Sequence, residues 1–547
     1  MVRGECHSPN YIANHHSPVY FATNPFLLLP FVFNGFKWVI PLLNLYSRTM
    51  NILLVYPQYP DSYWSFRHAL RFISKKATFP PLGLITVSAM LPSTWNKKLV
   101  DMNVEALQTK DIVWADLVFI SAMHIQQESV AKIIGECVKN RVKIVAGGPL
   151  FTQESGNYPQ IDHFILNEAE ITLPLFLKDL ASGHHPHRIY KTDEYAALTL
   201  TPVPDYHLLQ MKAYASMNLQ VTRGCPFACD FCEITSLLGH KVRMKDTHQI
   251  INELEVLYHL NWRGQVFIVD DNFIGNKREI KNNLLPAMKE WMQNHGYPFS
   301  FNIQSSINLA DDEELMTLMI ETGFSSTFIG IETPEEISLE HCNKVQNQNR
   351  DLLQSVRKIQ NAGFQVSAGF IVGFDSDTPS VFQRQIDFIQ QSGIVSAMVG
   401  LLNAPKNTTL YQRMEVEHRL TTTSSGNNTD LSMNFIPKMN IHDLLDGYKS
   451  IIKNIYSAKP YYNRIRQFLM NYQRPTVSRR QVKFSNLVAF FKSNFIIGIV
   501  NKGQGEYWKF LIWTLRKHPG LFIDAMTFVV YGYHFRTVYG LMTRDDD

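Results

Sequence analysis

The chain has 547 residues, more than one ordinary domain holds, so we expect two to four domains. Apolar residues make up 45% and charged residues 18% of the sequence, which is a globular balance with ample material for packed cores. The net charge of +4 is too small and too dispersed to predict nucleic-acid binding, and no run of 20 uninterrupted apolar residues occurs.

Residues 1–49 differ from the rest of the chain. The stretch 26–45 is apolar but is interrupted by two prolines, an asparagine and a lysine. No small-residue cleavage site follows it, which argues against a secretory signal. The sequence from Met50 is typical of the first strand of a domain. We therefore interpret 1–49 as an extension outside the core that arises from an upstream start site, with a membrane-associating segment as the alternative.

Residues 50–190 alternate short apolar runs with helical stretches. The runs have the length and apolar character of buried parallel strands. They lie at 52–56, 99–101, 117–121, 142–146 and 164–166. Strands that alternate with helices predict a doubly wound parallel sheet, whose ligands bind at the carboxyl ends of the strands.

The loops after two of these strands are therefore candidate ligand-binding segments. They contain Ser121, Ala122 and Met123 after the third strand, and Gly147, Gly148 and Pro149 after the fourth. Glycines let a ligand approach the backbone closely, although a tight turn alone also explains them. His124 lies just beyond the third strand, and a lone loop histidine is more often a solvated or hydrogen-bonding residue than a ligand.

Half of the six cysteines lie within eight residues, at Cys225, Cys229 and Cys232. The spacing C-x3-C-x2-C offers three thiolates, which suits a 4Fe-4S cluster with one iron open to a substrate or cofactor. A structural zinc site would need a fourth ligand, for which His240 is the nearest candidate. A disulfide is the weaker alternative, because cysteines of a cytosolic enzyme more often serve metals or catalysis.

Six further strands alternate with helices between residues 210 and 410. They are predicted at 219–222, 266–269, 299–304, 327–331, 366–372 and 397–402. This alternation predicts a partial (β/α)6 barrel, and chemistry in barrels gathers at the carboxyl ends of the strands.

Helical patterns dominate residues 411–547, for example at 442–455 and 461–471. Aromatic and basic stretches at 484–500 and 510–513 are suited to capping an apolar substrate or touching a membrane surface. We expect them to pack on the barrel instead, because amphipathic stripes usually bury their apolar face.

The cysteine motif, with the aromatic Phe231 before its last cysteine, resembles that of the radical S-adenosylmethionine (SAM) superfamily. A sheet domain directly before the barrel, the segments 64–66 and 79–84 and a helical carboxyl-terminal domain are similar to one cobalamin-dependent subfamily. That subfamily carries a helical carboxyl-terminal domain of unknown function and is related to hopanoid methylases and the anaerobic magnesium-protoporphyrin ester cyclase. The resemblance covers residues 50–540. It implies a Rossmann-like cobalamin-binding domain at 50–190, a radical SAM barrel at 210–410 and a helical domain at 411–547.

The resemblance also implies site residues. The three motif cysteines would hold the 4Fe-4S cluster. SAM would be bound by Phe231, Asp270, Asp271, Asn272, Gln304, Ser306, Glu332 and Gly373. Cobalamin would be bound by Ser121, Ala122, Met123, Gly147, Gly148, Pro149 and Glu168. Residues 101–106 lack the histidine that holds cobalt in other cobalamin domains, so histidine is not expected on the lower face.

The implied activity is reductive cleavage of SAM to a 5′-deoxyadenosyl radical, with methyl transfer through cobalamin to an unactivated carbon. A cobalamin-dependent cyclase or oxidoreductase is the alternative, and a non-catalytic iron-sulfur protein is a third interpretation. Methyl transfer needs no general acid or base, so no catalytic side chain is assigned. We expect a small-molecule substrate of large apolar type, a flavodoxin or ferredoxin as electron donor, no nucleic acid, and a cytosolic location that allows contact with a membrane surface.

Overall fold

The structure is a computed structural model that describes residues 49–541, except 183–184, 422–425, 428–429 and 476–483. Nearly all of the predicted amino-terminal extension, including the apolar stretch 26–45, therefore lies outside the described residues. Among the described helices, none is long and apolar enough to cross a membrane.

The first half of the chain forms a six-stranded parallel sheet in the order β2-β1-β3-β4-β5-β6. Its strands are β1 Asn51–Tyr56, β2 Asn96–Asp101, β3 Leu117–Ser121, β4 Lys143–Gly147, β5 His163–Ile165 and β6 Ile189–Tyr190. The central strands are apolar on both faces because helices cover both. The strand order reverses between β1 and β3, which is where sheets of this type open a ligand crevice.

The helices of this first region are α1 Arg67–Leu70, α2 Leu82–Met90, α3 Thr109–Trp114, α4 Gln127–Lys139, α5 Pro149–Glu154 and α6 Ala169–Ser182. The sequence predicts β1 to β5 to within three residues at each end. It misses β6, because a two-residue strand leaves no apolar run to detect.

The second sheet also has six parallel strands, in the order β14-β13-β12-β11-β10-β7, and curls into a half-barrel. They are β7 Ser216–Leu219, β10 Gly264–Ile268, β11 Phe299–Ser305, β12 Phe324–Glu332, β13 Gln365–Val372 and β14 Ala397–Leu401. The predicted first strand at 219–222 is divided: β7 ends at Leu219, and a separate antiparallel pair follows. That pair, β8 Thr222–Arg223 and β9 Arg243–Met244, carries the cysteine loop.

Helices join these strands on the outer side of the half-barrel. They are α7 Ile234–Leu238, α8 Thr247–His259, α9 Leu285–Asn294, α10 Glu313–Thr322, α11 Glu336–His341, α12 Leu352–Asn361, α13 Ser380–Ser392 and α14 Thr409–Val416. The predicted fold class, a Rossmann-like sheet followed by a partial barrel and a helical region, is confirmed.

The carboxyl-terminal helices are α15 Ile441–Tyr456, α16 Ala458–Asn471, α17 Phe484–Phe495, α18 Gln504–Lys517 and α19 Phe522–Val538. Both α15 and α16 pack on α13, so these two helices cover the barrel. The stretches 484–500 and 510–513, for which the sequence predicts packing on the barrel, lie in and directly after α17 and in α18, and they pack on residues 71–73 and on α16. The hydroxyl of Tyr456 donates to the carbonyl of Ala397 in β14 at 2.6 Å. The last helix reaches the first region, where Phe535 stacks on Tyr63 with 4.5 Å between ring centroids.

Candidate active site

The three motif cysteines lie on one loop between β8 and α7. The backbone N–H of Cys225 donates to Gly239 at 3.2 Å, and that of Cys232 donates to Cys229 at 3.0 Å. Burial raises the pKa of the Cys225 thiol and raises that of Cys232 to about 12, and the charge of Cys229 adds to both shifts. Binding a metal would therefore release protons from these thiols.

The zinc alternative is not supported by the placement of its candidate fourth ligand. His240 is solvent-exposed and follows α7 in the sequence, whereas the three cysteines precede that helix. Within the described residues, no group of three or more histidine, cysteine, aspartate or glutamate side chains is arranged to hold a single metal ion.

The cysteine loop is tied to its surroundings through its backbone. Gly224, just before Cys225, has φ +93°, and a Cβ there would lie 2.6 Å from the carbonyl oxygen of Lys241. Farther along the loop, the N–H of Asp230 donates to Cys342 at 3.0 Å, and its carbonyl accepts from Leu410 at 2.9 Å. Only glycine fits the entry to the loop, and three separate segments fix its course.

Two side chains from the segment after α11 surround the thiols. The ammonium of Lys344 lies 2.6 Å from Glu332 Oε1 and 5.8 Å from the centroid of Phe231. Burial lowers the pKa of Lys344, but the charges of Glu332 and Cys229 outweigh it and the pKa rises. Gln346 Nε2 donates to the sulfur of Cys229 at 3.6 Å. Glu332, which the sequence assigns to SAM, is therefore paired with a lysine that sequence reasoning missed.

The acidic pair after β10 divides into two roles. Asp270 is fully buried and accepts from the N–H groups of Val221 and Thr222 at 2.8 Å each and from the Thr222 hydroxyl at 2.7 Å. It holds the strand that enters the cysteine loop, so the predicted SAM contact of Asp270 is corrected. Burial and then the charge of Asp270 raise the pKa of Asp271 to about 7. Asp271 is half-buried, and its contact with SAM stays a prediction.

Three other predicted SAM residues are engaged with the protein itself. Asn272 Oδ1 accepts from the N–H of Ser306 at 3.2 Å and from its hydroxyl at 3.3 Å, which joins the ends of β10 and β11. The N–H of Gly373 donates to Asp377 Oδ2 at 2.9 Å, and the passage of this backbone beside adenine stays a prediction. These contacts make Asn272, Ser306 and Gly373 supports of the strand ends.

A cavity of about 950 Å³ lies between the carboxyl ends of the first sheet and the inner face of the half-barrel. Four of the predicted site residues line it: Phe231, Gln304, Met123 and Pro149. The cavity joins both sheets and the cysteine loop in one space, because Phe231 belongs to the loop itself.

The wall from the first sheet is the crevice where its strand order reverses. Tyr56 ends β1 and hydrogen-bonds Tyr59 in the loop that follows, and Asn103 follows β2. Asn103 Oδ1 accepts from the N–H of Tyr59 at 2.9 Å, which ties the two loops together. The place where this sheet type binds ligands therefore opens directly into the cavity.

The paired glycines after β4 allow close packing of the protein backbone. A Cβ on Gly147 would lie 2.7 Å from the carbonyl oxygen of Ile165, and one on Gly148 would lie 2.9 Å from Ser121 Oγ and 3.0 Å from the carbonyl of Ala122. The tight-turn interpretation is therefore the better one. Gly147, Gly148, Ser121 and Ala122 therefore support the wall of the cavity, and their contact with cobalamin stays a prediction.

Glu168 joins the first sheet to the cysteine hairpin. Its carboxylate makes a two-pronged ion pair with Arg243 of β9 at 2.6 and 2.7 Å and accepts from the N–H of Ala196 at 2.7 Å. Next to it, Glu170 pairs with Arg223 of β8 at 2.7 Å. The cobalamin contact of Glu168 stays a prediction. Sequence reasoning missed the arginines because nothing local pairs residues that lie more than 50 positions apart.

A second polar connection spans the cavity wall. The ring Nε2 of His124 lies 2.9 Å from Gln153 Oε1, and Gln153 Nε2 donates to Glu233 at 3.0 Å. Glu233 directly follows Cys232. His124 is thus a hydrogen-bonding loop residue, as predicted, and it connects the first sheet to the cysteine loop.

Comparison with known proteins agrees with this arrangement. The radical SAM superfamily matches residues 219–389, and a domain of unknown function, DUF4070, matches 408–546. An uncharacterized methyltransferase of Synechocystis sp. is 39% identical over 492 residues, which is 89% of this chain and 91% of that protein. The hopanoid C-2 methylase of Rhodopseudomonas palustris is 35% identical over 378 residues, 68% of this chain and 72% of its own.

Solved structures support the fold. The radical SAM methyltransferase TsrM from Kitasatospora setae, determined with cobalamin and a 4Fe-4S cluster, aligns with a TM-score of 0.56 and 12% identity. The alignment covers 89% of this chain and 99% of that one. The two relatives above, which span most of the chain, confirm the predicted family. The chain belongs to the radical SAM superfamily, in the branch that contains these methyltransferases.

Proposed function

We propose that this enzyme is a cobalamin-dependent radical SAM methyltransferase that methylates an unactivated carbon of an apolar small molecule. The single observation that carries the proposal is the shared cavity, which is bounded by the cysteine loop, the crevice of the first sheet and the inner face of the half-barrel. SAM, cobalamin and the substrate must meet in one reaction, and this cavity would give them one space in which to do so.

The donor set around the loop fits a 4Fe-4S cluster. Cys225, Cys229 and Cys232 supply three thiols, while Gln346 donates to sulfur and Lys344 places a cation nearby. Thiolate ligands with such neighbours are typical of iron-sulfur sites, whose potential depends on charge and on hydrogen bonds to sulfur. Beside them, Asp271 would hold the ammonium of SAM, and Phe231 and Gln304 would line its place in the cavity.

The crevice of the first sheet fits cobalamin. Gln58, Met123 and Pro149 line it from three successive strand ends. His124 points its ring to Gln153, and residues 101–106 contain no histidine, so histidine would not hold the cobalt from below. When bound, the cluster with SAM supplies a radical and cobalamin supplies a methyl group. The protein's part is to align these groups and exclude water.

The part of the cavity that lies against the half-barrel fits an apolar substrate. Trp64 meets Phe328 at 5.0 Å between ring centroids, and Phe79 meets Phe267 at 4.9 Å. The relative from R. palustris is, by its name, a methylase of hopanoids, which agrees with a pocket of this character. An electron donor such as flavodoxin or ferredoxin and a reducing, cytosolic environment complete the proposal, because reductive cleavage of SAM consumes an electron and free thiols persist in reducing compartments.

The proposal is tested by reconstituting the full chain without oxygen, with iron, sulfide and hydroxocobalamin. We expect about four irons and bound cobalt per chain. With SAM, a reductant and an apolar acceptor, a methyltransferase forms both 5′-deoxyadenosine and S-adenosylhomocysteine. Formation of 5′-deoxyadenosine alone would favour cyclisation or oxidation, and iron without cobalt would remove the basis for methyl transfer.

The matched controls are two cysteine variants. Cys229→Ala should lose cluster absorbance and both products, because it removes one of the three thiols. Cys137→Ala, at a buried cysteine of α4 far along the chain from the motif, should retain both. If SAM cleavage survives in Cys229→Ala, the cluster assignment is wrong.

A further inference from the structure

One face of the carboxyl-terminal helices is apolar and exposed. From α17 into the following turn, exposed apolar side chains recur every four residues, and a second stripe follows on α18. The two stripes, here called the α17–α18 face, consist of Leu487, Phe491, Phe495, Ile499 and Val500, and of Trp508, Ile512 and Leu515. Phe491 is 69% exposed and Phe495 is 61% exposed.

This clustering distinguishes the face from ordinary surface. Single exposed apolar residues such as Ile337 and Val416 also occur elsewhere on the described surface and need no explanation. Here the stripes adjoin, because Trp508 Nε1 donates to the carbonyl of Gly498 at 2.9 Å in the turn that joins them. Exposed apolar patches built from several large side chains mark interaction sites.

The same segment is strongly basic. Residues 484–518 carry five lysines and arginines and one glutamate, a net charge of +4, which equals that of the whole chain. Apolar and aromatic side chains combined with cationic ones are the composition of helices that lie in the interface of an anionic membrane. A second copy of the chain would present the same positive charge, which disfavours self-association through this face.

The face adjoins the entrance of the cavity. Lys492 of α17 donates to the carbonyl of Arg71 at 3.3 Å, so α17 rests on the short segment after α1. Ile73 in that segment is itself exposed. A few residues earlier, Trp64 and Arg67 line the cavity, and the side chain of Arg67 is about half exposed at 51%. Residues 64–73 therefore connect the lining of the cavity to this face.

We infer that the α17–α18 face docks the enzyme on the surface of an anionic lipid bilayer, with the helices lying in the plane of the interface. The apolar stripes enter the boundary between headgroups and acyl chains, and the exposed Arg516 and Lys517 at the end of α18 face the anionic headgroups. No described helix could span the bilayer, so the contact is peripheral. This inference goes beyond the proposed chemistry and does not depend on it.

The test is sedimentation of the full chain with vesicles of phosphatidylcholine and phosphatidylglycerol in equal amounts, compared with phosphatidylcholine alone. We expect binding to the anionic vesicles that weakens as salt rises. Phe491→Ser with Phe495→Ser should lower the partition coefficient at least about tenfold, since two aromatic rings leave the interface. Arg516→Glu with Lys517→Glu should lower it on anionic vesicles alone.

The control is Ile337→Ser with Val416→Ser, which removes exposed apolar side chains elsewhere and should leave vesicle binding unchanged. Circular dichroism checks that each variant is folded, and the exposed positions of both rings make that the expected result. Failure of the unaltered chain to bind anionic vesicles would overturn the inference. So would a dimer that Phe491→Ser with Phe495→Ser dissociates, because the face would then be covered by a second copy.

Discussion

Cys229 shares its surroundings with two side chains more than 110 residues farther along the chain. Gln346 donates to its sulfur, and Lys344 brings a buried cation close to it. Both groups stabilise negative charge, and a reduced cluster is more negative than an oxidised one. The residues around the thiol therefore favour the reduced state of a cluster held there.

Gln346→Leu should lower the midpoint potential of the reconstituted cluster. The change removes one N–H···S hydrogen bond, worth about 1 kcal/mol, or roughly 40 mV for one electron. A redox titration followed by electron paramagnetic resonance measures it. Gln348→Leu is the matched control, because Gln348 donates to the carbonyl of Leu339 and not to a thiol. Equal shifts in both variants would contradict a specific effect of Gln346.

Asp377→Asn should change how stability depends on pH. Burial raises the pKa of Asp377 to about 6, against 3.8 as the ordinary value, although the N–H groups of Gly373 and Phe374 pull it down. Between these values the folded chain holds a proton that the unfolded chain has lost, so stability falls as pH rises. The variant lacks this slope, which amounts to about 3 kcal/mol over the whole window.

Denaturant unfolding between about pH 4 and pH 7 measures that slope. Asp375→Asn is the contrasting variant. Burial raises the pKa of Asp375, but its hydrogen bonds with Arg419 outweigh this and hold the pKa below the usual range. Its contribution is therefore present above the ordinary pKa and is lost only in stronger acid. A persistent slope in Asp377→Asn would show that another group titrates there.

Single residues also mark the limit of prediction from sequence. Asp270 and Asp271 are adjacent and alike, yet Asp270 is fully buried and bonded to Val221 and Thr222, whereas Asp271 is half-buried. Which of the two points to a ligand depends on the end of β10, where the regular alternation of the strand stops. The cysteines were predictable because their spacing within one loop is itself the signal.

Among the elements, the β8–β9 hairpin depends on the first sheet. Glu168 and Glu170 at the start of α6 meet Arg243 and Arg223, one on each strand. All four side chains are largely buried, so each charge relies on its partner. The hairpin that carries the cysteine loop is thereby held in register with the crevice of the first sheet.

Glu168→Gln should destabilise the protein by roughly 3 kcal/mol, because the buried guanidinium of Arg243 loses its counter-charge. Denaturant unfolding followed by circular dichroism measures the loss. Arg384→Gln breaks an ion pair with Glu335 in which the arginine is exposed, and it should cost less than about 1 kcal/mol. If the two variants cost the same, the pair of Glu168 contributes no more than a surface contact.

The main strands could be predicted because strands that are buried between helices consist of short apolar runs, as in β1 and β3. The hairpin could not, because β8 and β9 are two residues long and pair across the whole cysteine loop. Ion pairs such as Glu168–Arg243 could not be predicted from the sequence either. They depend on how two sheets meet, and no local pattern encodes that.

For the molecule as a whole, the cavity links regions that are far apart in sequence. Its lining comes from four strand ends of the first sheet, all six strands of the barrel or their ends, and the segment after β14. A ligand that fills the part of the cavity beside the first sheet therefore contacts both sheets at once. Its binding should stabilise the assembled molecule and not one region alone.

Hydroxocobalamin should raise the free energy of unfolding of the full chain. At a free concentration about 100-fold above its dissociation constant, the gain is about 2.7 kcal/mol. Met123→Trp should reduce the gain, because the larger ring occupies the crevice that cobalamin would enter. Val113→Trp, at an exposed position of α3 outside the cavity, is the size-matched control. No stabilisation of the unaltered chain would contradict cobalamin binding.

The contact between α19 and the first region also determines when the first region can complete its packing during synthesis. His534 lies 3.1 Å from the carbonyl oxygen of Tyr63, from which it is separated by 471 residues. Ribosomes make a stretch of that length in roughly 25 to 95 s. For that interval the segment beside the cavity entrance has no final helix to rest against. Tyr63 therefore reaches its final contacts only after the last helix has been made, which is later than every strand of both sheets.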